Sequence, residues 1–205
     1  MLASRLRGPI NKVARPLGKA VGKTGISANT LTVAGVVFVA LGVWFYLLGH
    51  PMTGAFVMGI GGVLDLIDGA VAKATHTETV FGAFLDSTTD RISDGILFSG
   101  IVYYLALHGP GRVSLGLSTS TVVAIGLAVL VLGFLTPYLK GKAETLGFTC
   151  DVGIAERGER VLIGAVGIGL QLTVSALVIL FVLSLITVAQ RYVVVWRQAS
   201  AARRA

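Results

Sequence analysis

Asp65-Leu-Ile-Asp68-Gly69-Ala-Val-Ala72-Lys73, then eight residues, then Gly82-Ala-Phe-Leu-Asp86-Ser-Thr-Thr-Asp90, is the stretch on which the fold turns. Asp65 and Asp68 follow the apolar run 54–64, and Asp86 and Asp90 open a run that continues to Leu107. An ionised side chain near a bilayer centre costs on the order of 2.5–3.5 kcal/mol on insertion scales. Four carboxylates close together also repel one another. Divalent cations among them resolve both problems, because hard oxygen ligands suit Mg²⁺, Mn²⁺ or Ca²⁺. On a helix, Asp65 and Asp68 at i,i+3 share a face, and so do Asp86 and Asp90 at i,i+4. A connection of about seven residues folds the two helices antiparallel, so the pairs converge. Gly69 and Gly82 leave room for a ligand or a helix to come close. Two cations held between such pairs suit displacement at phosphorus, where attacking and leaving oxygens both need stabilising. Helix caps, or ion pairs with Lys73 and Arg91, account for one or two of these aspartates but not for all four. Asp94, a further turn along, reads as a polar residue facing the bundle interior.

Composition agrees with a membrane setting. The chain has 205 residues, 54% of them hydrophobic and only 13% charged. Runs of this apolarity are what spanning helices require, about 20 residues each, and the alternation of a barrel strand is absent. The expected fold is all-α integral membrane, with six transmembrane helices over roughly 29–48, 53–74, 81–107, 119–139, 159–170 and 172–196. The fifth and sixth meet in a tight hairpin at Gln171. Over 1–24, Leu2, Leu6, Ile10, Val13 and Leu17 step by three or four between Arg5, Arg7, Lys12, Arg15, Lys19 and Lys23. That pattern predicts an interfacial amphipathic helix preceding a membrane domain over 25–205. No cleavable leader is expected, because the first 25 residues hold no continuous apolar core. Cys150, the single cysteine, excludes an internal disulfide and reads as a passive loop residue.

Net charge is +7, yet the cations bracket hydrophobic spans rather than lining a groove with interleaved aromatics, so no nucleic-acid partner is expected. With six spans, one side receives the N-terminal segment, the connections 73–81 and 140–160, and the tail with Arg197, Arg203 and Arg204. The other side carries Arg112 alone. The positive-inside rule then puts both termini and all four aspartates on the cytoplasmic side of the cell membrane. A cation channel or transporter is the reading from a different class. It is disfavoured by the lack of an internal repeat and by carboxylates lying towards one end of their helices.

The aspartate string resembles the signature of the CDP-alcohol phosphotransferases, Asp-x2-Asp-Gly-x2-Ala-Arg-x8–9-Gly-x3-Asp-x3-Asp. Every position matches but one: Lys73 stands where the pattern has Arg, which keeps the charge and loses the planar fork. The resemblance implies that a CDP-linked lipid donates its phosphatidyl group to an alcohol and releases CMP, with two Mg²⁺ ions, or Mn²⁺, as cofactor. By the family pattern, Asp65, Asp68 and Asp86 bind metal, while Asp90 both contributes to the metal site and acts as general base. Gly69, Lys73 and Thr79 match positions that contact the cytidine diphosphate of CDP-diacylglycerol. Ala28, Asn29, Thr30 and Leu31 resemble the family's Asn-x-x-Thr entry to the first span; the competing reading there is a helix N-terminus capped by Ser27 or Asn29. A homodimer among membrane lipids is implied as well.

Lys140, Lys142, Arg157, Arg160 and Arg191 lie at the level of the aspartates and are candidates to clamp a phosphate on the acceptor. They also serve as positive-inside anchors balanced by Glu144, Glu156 and Glu159. The wording of 152–157, Val-Gly-Ile-Ala-Glu-Arg, is similar to that of the actinobacterial phosphatidylinositol-phosphate synthases within the family. That similarity implies 1D-myo-inositol 3-phosphate as acceptor. Glycerol 3-phosphate, used by the phosphatidylglycerophosphate synthases, is the alternative that charge alone does not separate.

Overall fold

The computed structural model describes Pro16, Gly18 and residues 20–111, 114–154 and 157–202. Most of the expected amphipathic segment over 1–24 therefore lies outside the described residues, as do Arg112, Glu156, Arg203 and Arg204. Among the described residues there is no strand, and six complete helices follow one another: α1 Ala28–Leu47, α2 Pro51–Thr75, α3 Val80–His108, α4 Thr119–Thr145, α5 Arg157–Gly169 and α6 Thr173–Ala202.

Local chemistry sets these boundaries. Ser27, Thr79 and Ser118 cap α1, α3 and α4, their hydroxyls accepting from the amides of Thr30, Gly82 and Thr121. Pro51 opens α2, where a missing N–H costs nothing. The hairpin at Gln171 is present. Gln171 has φ 57°, Leu172 N donates to Gly167 O at 2.8 Å, and α6 begins two residues on.

Four helices, α1, α2, α4 and α6, are long and apolar enough to cross a membrane. The other two expected spans exist as helices but differ in kind. α3 has 29 residues, about 43 Å of helix, but Asp86, Asp90, Arg91 and Asp94 crowd its first half. α5 has 13 residues, about 20 Å against the roughly 30 Å of a hydrocarbon core.

Packing ties these two helices to the apolar ones. α1 lies on α2 and α3, α4 joins α3 to α6, and α5 fills the space between α2 and α6. The α1–α2 contact is backbone to backbone. A Cβ on Gly61 would lie 2.8 Å from the Gly35 carbonyl oxygen, and one on Gly54 2.6 Å from that of Gly42. Such glycine pairs let helices approach where lipid supplies no hydrophobic drive. The main core gathers Met58, Leu97, Phe98, Ile101, Val129, Ile168, Leu177 and Leu180. A smaller cluster of Leu31, Ile67 and Val71 joins α1 to α2 near the aspartates. Just before α1, Gly18 is buried against α2, where a Cβ would meet the Ala70 carbonyl carbon at 2.7 Å. The outside is the reverse of a soluble surface. Val37, Phe56, Phe84, Leu107, Val131, Leu162 and Ile179 are exposed, with Trp44 and Trp196 near helix ends, the pattern of a lipid-facing belt with interfacial anchors.

The connection from α4 to α5 is pinned rather than loose. Gln198 accepts from Thr149 N at 3.0 Å and donates to Thr149 O at 2.7 Å, and Ile154 N donates to Thr187 Oγ1. Gly153 is required there: its φ is 149°, and a Cβ would lie 2.8 Å from Thr187 Cγ2. Cys150 is fully buried in this connection, and burial pushes its thiol pKa up, which suits an unreactive packing residue.

Candidate active site

Helices α2 and α3 bring the aspartates together. Asp65, Asp68 and Asp86 each present a carboxylate oxygen within 4.8 Å of the other two. At an effective dielectric of about 20, each such pair repels by about 3–4 kcal/mol before solvent screening. Summed over the group this approaches the net stability of a domain, about 5–15 kcal/mol, so the arrangement calls for positive charge. Three hard oxygen donors at this spacing fit a divalent cation of the Mg²⁺ or Mn²⁺ class.

Asp90 sits beside the triad and is joined to it by Arg157. One guanidinium nitrogen, Nη1, lies 2.5 Å from Asp65 Oδ2 and 2.8 Å from Asp90 Oδ1. Arg157 opens α5, where the helix dipole disfavours a cation, so its carboxylate partners hold it there. Asp90 Oδ2 lies 3.3 Å from Arg91 Nη2. Deeper in the bundle, Asp94 and Arg160 form a pair at 2.7 Å with both side chains 1% exposed, and Arg157 Nε lies 3.8 Å from Asp94. Asp94 thus faces the bundle interior, as its place in the sequence suggests. Arg160 lies against Gly133 of α4, where a Cβ would be 3.9 Å from its Nε.

The expected nucleotide contacts are mostly exposed. Asn29, Thr30, Gly69, Lys73 and Thr79 are exposed, and Ala28 is half-buried. Asn29 Oδ1 lies 3.5 Å from where a Cβ on Gly82 would sit, which ties the entry of α1 to that of α3. Gly69 faces open space, and a side chain there would meet nothing within 4 Å. Thr30 and Thr79 take part in helix caps. Leu31 is 7% exposed and packs on Ile67 and Val71.

The cations converge as well. Arg91, Lys140, Arg157, Arg160 and Arg191 line one cleft of about 330 Å³, with Thr136 and Glu144 at its wall. Lys140 Nζ lies 2.6 Å from Asp151 and 3.8 Å from Glu144. Arg191, 6% exposed, donates from Nε to Val152 O at 2.9 Å and from Nη1 to Thr136 O. Lys142 is exposed and does not line the cleft. Arg91 is the residue that sequence reasoning missed. Its signal was adjacency to Asp90, which read as a simple ion pair. A second cavity, about 230 Å³ and mostly apolar, opens between α1, α2 and α5. Gly35, Val39, Met58 and Leu162 line it, and Asp65 and Arg157 stand at its polar end.

Comparison with known proteins gives the family and a common fold. Residues 26–202 match the family model for CDP-alcohol phosphatidyltransferase. The chain is 37% identical over 188 residues to a phosphatidylinositol phosphate synthase of Mycobacteroides abscessus, covering 88% of this chain and 82% of that one. The crystal structure of the Mycobacterium tuberculosis phosphatidylinositol phosphate synthase with CDP-DAG bound superposes with a TM-score of 0.77 at 30% identity, covering 90% of this chain and 94% of that one. The structure of that enzyme in complex with manganese and citrate gives the same TM-score and identity, covering 89% and 88%.

Proposed function

The chain belongs to the CDP-alcohol phosphatidyltransferase family, and from that membership we propose that it is a phosphatidylinositol-phosphate synthase. It transfers the phosphatidyl group of CDP-diacylglycerol to 1D-myo-inositol 3-phosphate and releases CMP. The observation that carries this reading is the five-cation cleft, two of whose lining arginines, Arg91 and Arg157, contact Asp90. A phosphate monoester on the acceptor is a dianion, and a cleft lined by Arg91, Lys140 and Arg191 matches it better than it would an uncharged alcohol. The relatives' names support inositol phosphate as that acceptor.

Each part of the site has a role in the proposal. Asn29, Gly69, Lys73 and Thr79 hold the cytidine diphosphate. The apolar cavity between α1, α2 and α5 takes the lipid neck of the donor, leaving its diphosphate against the aspartates. Asp65, Asp68 and Asp86, with Asp90 beside them, would hold divalent cations, which would supply charge neutralisation for that diphosphate and for the departing CMP. Asp90 accepts the proton of the acceptor hydroxyl as its oxygen bonds to the phosphorus carrying diacylglycerol. The bond from that phosphorus to the bridging oxygen breaks, and the oxygen departs with CMP. Arg157 keeps Asp65 and Asp90 in register from α5, and Arg91 and Lys140 orient the acceptor phosphate.

The same reading places all six helices in a cell membrane, α5 in part by leaning on its neighbours, with both termini and the site on the cytoplasmic face. The distribution of Lys and Arg along the chain supports that orientation, and the family resemblance supports a homodimer. The test is conversion of CDP-diacylglycerol and inositol phosphate by the purified chain in lipid vesicles. CMP and a lipid retaining a free phosphate monoester should appear only with Mg²⁺ or Mn²⁺, and Asp90→Asn should abolish both while the protein stays folded. Near-normal turnover by Asp90→Asn would remove Asp90 as the base.

A further inference from the structure

Thr32 stands one turn inside α1, away from both clefts, and its hydroxyl touches Asp68. Thr32 Oγ1 lies 2.5 Å from Asp68 Oδ2 and 3.0 Å from the carbonyl of Ala28. A threonine in a helix ordinarily bonds back to the carbonyl four residues earlier, but a hydroxyl has only one proton to give. The shorter contact, to an ionised oxygen, takes it, since hydrogen bonds to charged acceptors are shorter and about twice as strong. The other carboxylate oxygen, Oδ1, accepts from Gly69 N at 2.5 Å. Asp68 and Thr32 are 4% and 6% exposed, so solvent does not replace either donor.

The backbone explains why these two residues meet. Helices α1 and α2 run antiparallel with Gly35 against Gly61 and Gly42 against Gly54. Side chains tilt towards the N-terminus of their own helix. Asp68 therefore leans back along α2, Thr32 leans back along α1, and the two tilts close on each other. The three oxygens of the cation group are held differently. Asp65 is fixed by Arg157, Asp86 is exposed, and Asp68 is fixed by two donors aimed at its two oxygens.

We propose that Thr32 is a positioning residue for metal binding: it orients the Asp68 carboxylate towards the cation shared with Asp65 and Asp86. This inference rests on reading those aspartates as the metal site. Partners of this kind fix ligand orientation, and losing one weakens metal binding about 10–100-fold in characterised sites.

The experiment is Mn²⁺ binding to the full chain in detergent micelles, followed by electron paramagnetic resonance, for the unaltered protein, Thr32→Val, Thr32→Ser and Asp86→Asn. Thr32→Val keeps the shape and removes the hydroxyl; Thr32→Ser keeps the hydroxyl and removes a methyl. Mn²⁺ affinity should fall about 10–100-fold in Thr32→Val and return close to the starting value in Thr32→Ser. In membranes, where no purification is needed, half-saturating Mn²⁺ for CMP release should rise in Thr32→Val while KM for inositol phosphate stays put. Equal Mn²⁺ affinity in Thr32→Val and the unaltered protein, with Asp86→Asn impaired, would overturn the role of Thr32 alone. No Mn²⁺ binding even by the unaltered protein would overturn the metal reading and this inference with it.

Discussion

At Lys140 the site's division of labour can be tested one side chain at a time. Its Nζ is held at the cleft by Asp151 at 2.6 Å, while the side chain stays 40% exposed. A hydrogen bond to a charged group contributes about 1.5–3 kcal/mol, and exposure discounts that towards its lower end. Lys140→Ala should therefore raise KM for the phosphorylated acceptor about tenfold and leave KM for CDP-diacylglycerol unchanged. Steady-state kinetics with each substrate varied in turn would check this, and an equal rise in both KM values would remove Lys140 from the acceptor cleft. The aspartates were legible in the sequence because charge inside an apolar run is expensive and their i,i+3 and i,i+4 spacing gives each pair a shared face. The cation cleft was legible only in part. Lys140, Arg157, Arg160 and Arg191 do line it, but Arg91 was hidden by its neighbour Asp90, and Lys142 turns outward. Which face of α3 meets α4 and α5 depends on tertiary packing that spacing along one helix does not encode.

Between elements, the Asp94–Arg160 pair is the link that joins α3 to α5 beneath the site. Removing one partner of a buried pair costs about 3–5 kcal/mol, because the other charge is left stranded, whereas replacing both with apolar groups is often neutral or stabilising. Asp94→Leu should thus lower the thermal midpoint in detergent sharply, and Asp94→Leu combined with Arg160→Met should recover most of the loss. A double variant no more stable than Asp94→Leu would show that the pair contributes through something other than its charge. The helices themselves were largely legible. Apolar runs, the caps at Ser27, Thr79 and Ser118, and the hairpin at Gln171 place all six close to where the sequence puts them. The short fifth helix, expected over 159–170, has 13 residues, and the charges of α3 stay in its first half. What the sequence did not convey is that neither meets both the length and the apolarity that a spanning helix needs. Each packs its charged face on neighbours while exposing apolar side chains such as Phe84, Tyr103 and Leu162. The Thr32–Asp68 contact was invisible because it depends on the register of α1 against α2 that the glycine pairs set.

Across the whole molecule, an apolar belt surrounds a charged interior that opens towards one end of the helices. The positive-inside distribution predicts that this end is cytoplasmic. Cys150 is buried, so cysteines introduced at exposed positions report sidedness against a low background. In sealed, right-side-out vesicles, an impermeant maleimide should label Leu115→Cys and spare Glu144→Cys, and the opposite result would invert the topology. A cytoplasmic site is also where a water-soluble sugar phosphate can reach a lipid-borne donor. The central claim is that the site pairs the aspartates with a phosphorylated acceptor of inositol's shape. The most direct test is the rate of CMP release from CDP-diacylglycerol by the purified chain with Mg²⁺, comparing 1D-myo-inositol 3-phosphate with glycerol 3-phosphate. Turnover with inositol phosphate and little with glycerol 3-phosphate is the predicted result; preference for glycerol 3-phosphate, or silence with both in folded protein, would contradict it.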